Sequence, residues 1–299
     1  EKSFKLESTG GSLNTTFNSD SDGTNGGVIW LKGNGYGGAF QGATINTNGG
    51  FLTLSGGINI TTGYAQGMDN VMGNGITIDS ATITTNGGDI TLRGKGAEYY
   101  KSYNSSDDSN TTNNNGIRLH GSNTIDAGTG KISFVGVAQG LNGSSNGIET
   151  NSSGYTKILS SANSADAIKF YGDARTGTST NGWGTFLWGT STSGILLAAT
   201  GGGNIYLEGY GRNNIGNAGG VHLEPNAFVL ANSGDITITG EKGITSTYAD
   251  VVNNNTIGYI DSLPSGFGIA SPVTSSSSNI SIIADTIKAN QVFGTGNFS

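Results

Sequence analysis

One phrase recurs along this chain, and its repetition narrows the possible folds more than any other feature. It consists of a Gly followed by Ile or Val, an alternating stretch, a turn containing Gly, and a second alternating stretch. The clearest copy is NGITIDSATITTNGGDITLRG, Asn74 to Gly94. Its relatives are NGIRLHGSNTIDAGTGKISFVG (Asn115 to Gly136), SGILLAATGGGNIYLEG (Ser193 to Gly209) and GGVHLEPNAFVLANSGDITITG (Gly219 to Gly240). Looser copies begin at Gly26, Asn146 and Phe267. In the clearest copy Ile76, Ile78, Ala81, Ile83, Ile90 and Leu92 alternate with Thr77, Thr82, Thr84, Thr91 and Arg93. A period of two marks strands with one dry face and one wet face.

Each dry stripe is too shallow to be buried by one copy, so the copies must stack on one another. The expected fold is all-β: a right-handed single-stranded parallel β-helix with loop insertions, running through residues 1–299 as one segment. Turns fall at Asn48-Gly49-Gly50, Asn86-Gly87-Gly88, Gly128-Thr129-Gly130, Gly201-Gly202-Gly203 and Ser233-Gly234, residue types that tolerate positive φ. Segments 57–74, 97–115, 171–192 and 241–266 interrupt the phrase and are expected to be insertions or extra coils. The competing architecture, an antiparallel sandwich, calls for short hairpins every 8–12 residues or so; the compound phrase here is longer.

Composition narrows the function. Gly is 53 of 299 residues and only 12% are charged. Such a chain could be disordered, but apolar residues at a regular period argue against that. The net charge is −7 and no Lys/Arg cluster occurs, so nucleic acid is not an expected partner. The absence of Cys removes disulfides, thiol catalysis and Cys-ligated zinc. No apolar run reaches the ~18 residues of a membrane-spanning helix, so no transmembrane segment is expected. The opening EKSFKLESTGG carries neither an initiator Met nor a signal-peptide pattern, and reads as part of something longer.

The lines ITIDSATITTNGGDITLRG and VHLEPNAFVLANSGDITITG resemble the coils of two-partner-secretion exoproteins, the filamentous-haemagglutinin and high-molecular-weight-adhesin family. The resemblance covers most of the chain at the level of pattern. The N-P-N motifs of that family's secretion domain are missing, so the segment resembles the passenger beyond it. The resemblance implies secretion to the bacterial cell surface through an outer-membrane transporter. It also implies cell adhesion and virulence through carbohydrate binding to glycans or glycoproteins of host cells or other surfaces.

The candidate ligand-binding residues are aromatic. Trp183 and Trp188 lie in NGWGTFLWG, off the period-two pattern, and flat indole faces suit sugar rings; the alternative is that they plug the insertion against the rod. Tyr99, Tyr100 and Tyr103 form a second cluster in a polar insertion. Asn18, Asp20 and Asp22, followed by Gly23, echo the first half of a calcium loop. The second half fails, since Ile29 stands where a bidentate Glu belongs. No cofactor is expected; calcium is the ion this loop suggests and would need further ligands from elsewhere in the chain, and the alternative is an ordinary Asx-rich turn. Alternation turns His120 and His222 outward as exposed sheet residues without catalytic partners. No catalytic residue is expected. The reading is a non-enzymatic adhesin segment. The alternatives are a mechanical spacer of a larger exoprotein and a β-helical polysaccharide lyase or tailspike-like glycosidase.

Overall fold

A computed structural model describes residues 4–23, 26–32, 42–68, 72–98, 114–140, 145–151, 154–177, 182–213, 216, 218–258, 263–269 and 279–292. The chain is a parallel β-helix with three faces, and among the described residues every pairing between strands is parallel. Face 1 stacks Ile29–Lys32, Ile76–Asp79, Ile117–His120, Ile148–Asn151, Thr185–Leu187 and Val221–Leu223. Face 2 stacks Lys5–Glu7, Thr44–Asn46, Thr82–Thr84, Thr124–Asp126, Tyr155–Ser160, Gly194–Ala199 and Ala227–Ala231. Val251–Gly258 pairs with both and joins them into one 15-stranded sheet. Face 3 is a separate nine-stranded sheet running from Thr15–Asn18 to Ile280–Ile283. No helix among the described residues is long and apolar enough to cross a membrane.

Register places like over like inside the coil. Ile76, Ile117 and Ile148 form a column on face 1; Ile45, Ile83, Ile125 and Ile158 form one on face 2. Ile90, Ile132, Ile168, Ile205 and Ile236 form a third on face 3. All of these are fully buried in one continuous core. Each such side chain contributes about 2 kcal/mol of burial, but only because the coils on either side close over it. Phe134 and Phe170 stack within this core at 4.7 Å.

The recurrent Asn-Gly-Ile has one task per residue. Ile enters the core. The Asn side chain bonds the next coil: Asn115 N–H donates to Asn74 Oδ1 at 3.0 Å, Asn146 N–H to Asn115 Oδ1 at 2.7 Å and Trp183 N–H to Asn146 Oδ1 at 2.8 Å. Gly sits where faces 3 and 1 meet backbone against backbone. A Cβ on Gly172 would lie 2.0 Å from the Gly184 carbonyl oxygen, and one on Gly184 would lie 2.1 Å from Tyr210 N. The in-register Gly94, Gly136, Gly209 and Gly240 repeat this close approach. The turn segments behave as read from sequence, with φ of 54° at Asn86 and 122° at Gly87.

One repeat assignment is corrected. Phe267 begins no coil; it lies in the 3-10 turn Ser265–Phe267. Segment 263–269 crosses the outside of face 2, where Leu196, Ala198, Phe228 and Leu230 point away from the main core yet are buried with Phe267 in a second apolar cluster. Tyr155 and Phe228 meet the Phe267 ring at 4.8 and 5.8 Å. Simple alternation fails in Gly194–Ala199 because both sides of that strand are covered. Within the interrupting segments, Thr185–Leu187 and most of Val251–Gly258 occupy regular ladder positions.

Replacing Gly172 by Ala is expected to cost about 3 kcal/mol or more, because the new methyl would meet the Gly184 backbone, which cannot yield. Gly10→Ala, where a Cβ meets nothing within 4 Å, is expected to be neutral. Thermal unfolding followed by circular dichroism compares the two.

Candidate functional site

The outer surface of face 1 carries a different kind of column. Register aligns Trp30, Thr77, Arg118, Glu149, Phe186, His222, Val252 and Lys288 on successive coils. Strand alternation turns all of them out of the core, and two positions further along each strand stand Lys32, Asp79, His120, Trp188 and Glu224. These neighbours pair within or between coils. Lys32 Nζ lies 4.5 Å from the Trp30 ring, and His120 Nδ1 is 3.3 Å from Asp79 Oδ1.

The upper part of the column is polar and buried. Arg118 Nε is 3.6 Å from Glu149 Oε1, and both side chains are almost wholly covered. Glu149 Oε2 accepts a hydrogen bond from Asn146 Nδ2 at 2.7 Å, so the carboxylate is tied to the asparagine ladder. Arg118 Nε and Nη1 have no hydrogen-bond partner among the described residues. At 3.6 Å and with Arg118 nitrogens unpartnered, the pair repays little of its desolvation cost.

The lower part is aromatic. Trp183, Phe186 and Trp188 lie in near-parallel planes, with centroids 6.2 and 6.3 Å apart and tilts of 19° and 21°. The spacing of Phe186 and Trp188 follows from their two-residue separation on an extended strand. Trp183 occupies the position held by Asn in earlier coils, and its indole lies over the next coil, where a Cβ on Gly219 would meet Cζ3 at 2.2 Å. Tyr248 packs edge-on to Trp183 at 5.6 Å, and His222 lies 4.5 Å from it. Trp183 is therefore only 5% exposed, whereas Trp188 and Tyr248 are 38% and 36% exposed. Trp188 N–H donates to Thr150 Oγ1 at 2.7 Å, fixing its strand to the previous coil.

His222 corrects a second expectation: it faces outward, as alternation demands, but is 8% exposed rather than open to solvent. Burial beneath the rings lowers its pKa to about 4, and Lys288 adds to the shift. Its Nε2 lies 3.1 Å from Glu224 Oε1 and 3.3 Å from the Asn254 amide nitrogen. The carboxylate pulls the pKa the other way, but the desolvated ring prevails.

The remaining candidates lie elsewhere. Tyr99, Tyr100 and Tyr103 fall outside the described residues. Asn18 uses both ends of its amide within the first coils: Nδ2 donates to Gly57 O at 3.1 Å and Oδ1 accepts from Asp20 N–H at 3.4 Å. Asp20 is buried and Asp22 exposed. No group of three or more His, Cys, Asp or Glu among the described residues is placed to hold a metal ion. A cavity of about 440 Å³, lined in part by Phe4, Phe17, Asn18, Trp30 and Lys32, opens at the first coil. Sequence reading missed Arg118, Glu149, Phe186, Glu224 and Tyr248. Aligning the copies on their shared Gly (NGIR, NGIE, WGTF and GGVH) places Arg118, Glu149, Phe186 and His222 in one column, and that signal was available.

Because the folded-state pKa of His222 lies below the unfolded value of ~6.5, its contribution is fully present above pH 6.5 or so and is lost as pH falls towards 4. Stability is expected to drop by about 2–3 kcal/mol across that window. His222→Gln is expected to flatten the dependence, as chemical denaturation at a series of pH values will measure.

No protein-family model, curated protein or solved structure matches this chain.

Proposed function

We propose that this chain is a non-enzymatic adhesin segment, secreted to or displayed on a bacterial surface, that binds host-cell or surface glycans from a rigid β-helix. The observation that carries this reading is the aromatic group on face 1. Trp188 and Tyr248 present accessible rings while Trp183 and Phe186 brace them from within the same group. Exposed aromatic faces held rigidly favour sugar rings because the apolar face of a pyranose covers the ring without disturbing its hydroxyls' contact with water. Little side-chain freedom is lost on binding, since the coil already fixes the strand that carries Trp188.

The resemblance to two-partner-secretion passengers supports export through an outer-membrane transporter and action at the cell surface. A single aromatic site of this size gives modest affinity, and many copies on one surface raise it through avidity. The alternative roles, a mechanical spacer or a glycan-cleaving β-helix, differ in outcome. A spacer binds no glycan, and a lyase or glycosidase releases new chain ends.

The double variant Trp188→Ala/Tyr248→Ala is expected to weaken binding on a glycan array by about tenfold or more, equivalent to ~1.4 kcal/mol, with an unchanged β-sheet spectrum. Equal binding by the variant, or no binding by the parent chain, would refute the assignment. Trp183→Ala is unsuitable as a probe, because emptying that buried site costs about 3–5 kcal/mol of stability.

A further inference from the structure

The charge beside the exposed rings narrows the ligand class. Glu224 follows Leu223, the register partner of Leu187, and its N–H donates to the Leu187 carbonyl at 3.0 Å. Its side chain therefore stands one coil from Trp188 on the same outer surface, and is 26% exposed. The carboxylate's one polar contact among the described residues is His222 Nε2 at 3.1 Å. His222 packs against both Trp183 and Phe186, at 4.5 and 5.0 Å. A ring buried against two aromatic neighbours favours the neutral form, so the imidazole leaves the charge of Glu224 uncancelled.

No cation forms an ion pair with it among the described residues. Lys288 lies two coils further along the column, and its charge is felt at His222. Arg118 faces Glu149 on the far side of Phe186. The aromatic group thus combines accessible ring faces with one uncompensated carboxylate, on a chain of net charge −7. A cation beside ring faces and a carboxylate gains from both. An acidic sugar meets repulsion there.

We infer that the Trp188 site selects glycans bearing a protonated amine over neutral ones and excludes acidic ones, with Glu224 as the specificity-determining residue. This rests on the glycan-binding reading above. The rings supply binding common to all sugars, and Glu224 supplies the difference between them.

The test uses three oligosaccharide probes of similar length: a glucosamine oligomer with free amines, the same oligomer fully N-acetylated, and a uronate oligomer. Titrations are run at a pH that protonates the amine. The parent chain is expected to bind the amine form about fivefold more tightly than the acetylated form, the ratio expected of one partly exposed ion pair, and the uronate not measurably. Glu224→Gln is expected to bring that ratio close to one while retaining the acetylated ligand, and Trp188→Ala to lose both ligands. Non-specific attraction of a cationic oligomer to an acidic protein would survive both substitutions and would overturn the inference. So would an unchanged ratio in Glu224→Gln, or uronate binding equal to that of the amine. Failure of all three probes to bind the parent chain would instead remove the glycan reading itself, and the selectivity with it.

Discussion

Every feature of this molecule depends on each coil being seated on the one before it. Backbone hydrogen bonds in parallel register and columns of identical side chains act together: Ile over Ile, Gly over Gly, Asn bonded to Asn. No coil has a core of its own, because its apolar stripe is two residues deep on each face and is covered only by its neighbours. Stability is therefore a property of the stack. The columns also tolerate coils of unequal length. Ile76, Ile117 and Ile148 stay in register although the stretches between them differ, since the added residues fall in sequence between a face 3 strand and the next face 1 strand.

That corner explains where chemistry gathers. The two glycine ladders bring the faces together so tightly that no side chain can enter. The chain between them is free to vary, and Trp183 and Tyr248 both come from such connections. They fold back over the outer surface of face 1 beside Phe186, Trp188 and His222, which the strands themselves supply. The candidate site is thus assembled from a regular part, repeated at every coil, and an irregular part, peculiar to two of them. Rigid strands hold the rings while the connections provide the variation that recognition needs.

The outside of the coil is not uniformly wet, contrary to what alternation alone implies. On face 2, Leu196, Ala198, Phe228 and Leu230 turn outward into a second apolar cluster closed by Phe267. On face 1, Arg118, Glu149 and His222 turn outward and are still buried. Both departures have the same origin: a segment remote in sequence lies over the strand, or a neighbouring coil's large side chain does, and neither contact leaves a mark on the local period.

The fold was legible because its determinants are local and repeated. Alternating Ile and Thr, Gly at each corner and Asn before it define strand, turn and stacking direction within about twenty residues of Asn74, and the same instructions recur to the end of the chain. The site was only partly legible. Trp188 could be singled out as an aromatic off the pattern, but its twin Trp183 reads identically in sequence and is buried. The difference lies in Gly219, Tyr248 and His222, brought against Trp183 from the two following coils. Sequence alone determined what repeats, because a repeated side chain meets copies of itself. Tertiary structure decided what is covered and what is exposed, because burial depends on residues one or two coils away that share no local pattern with those they cover.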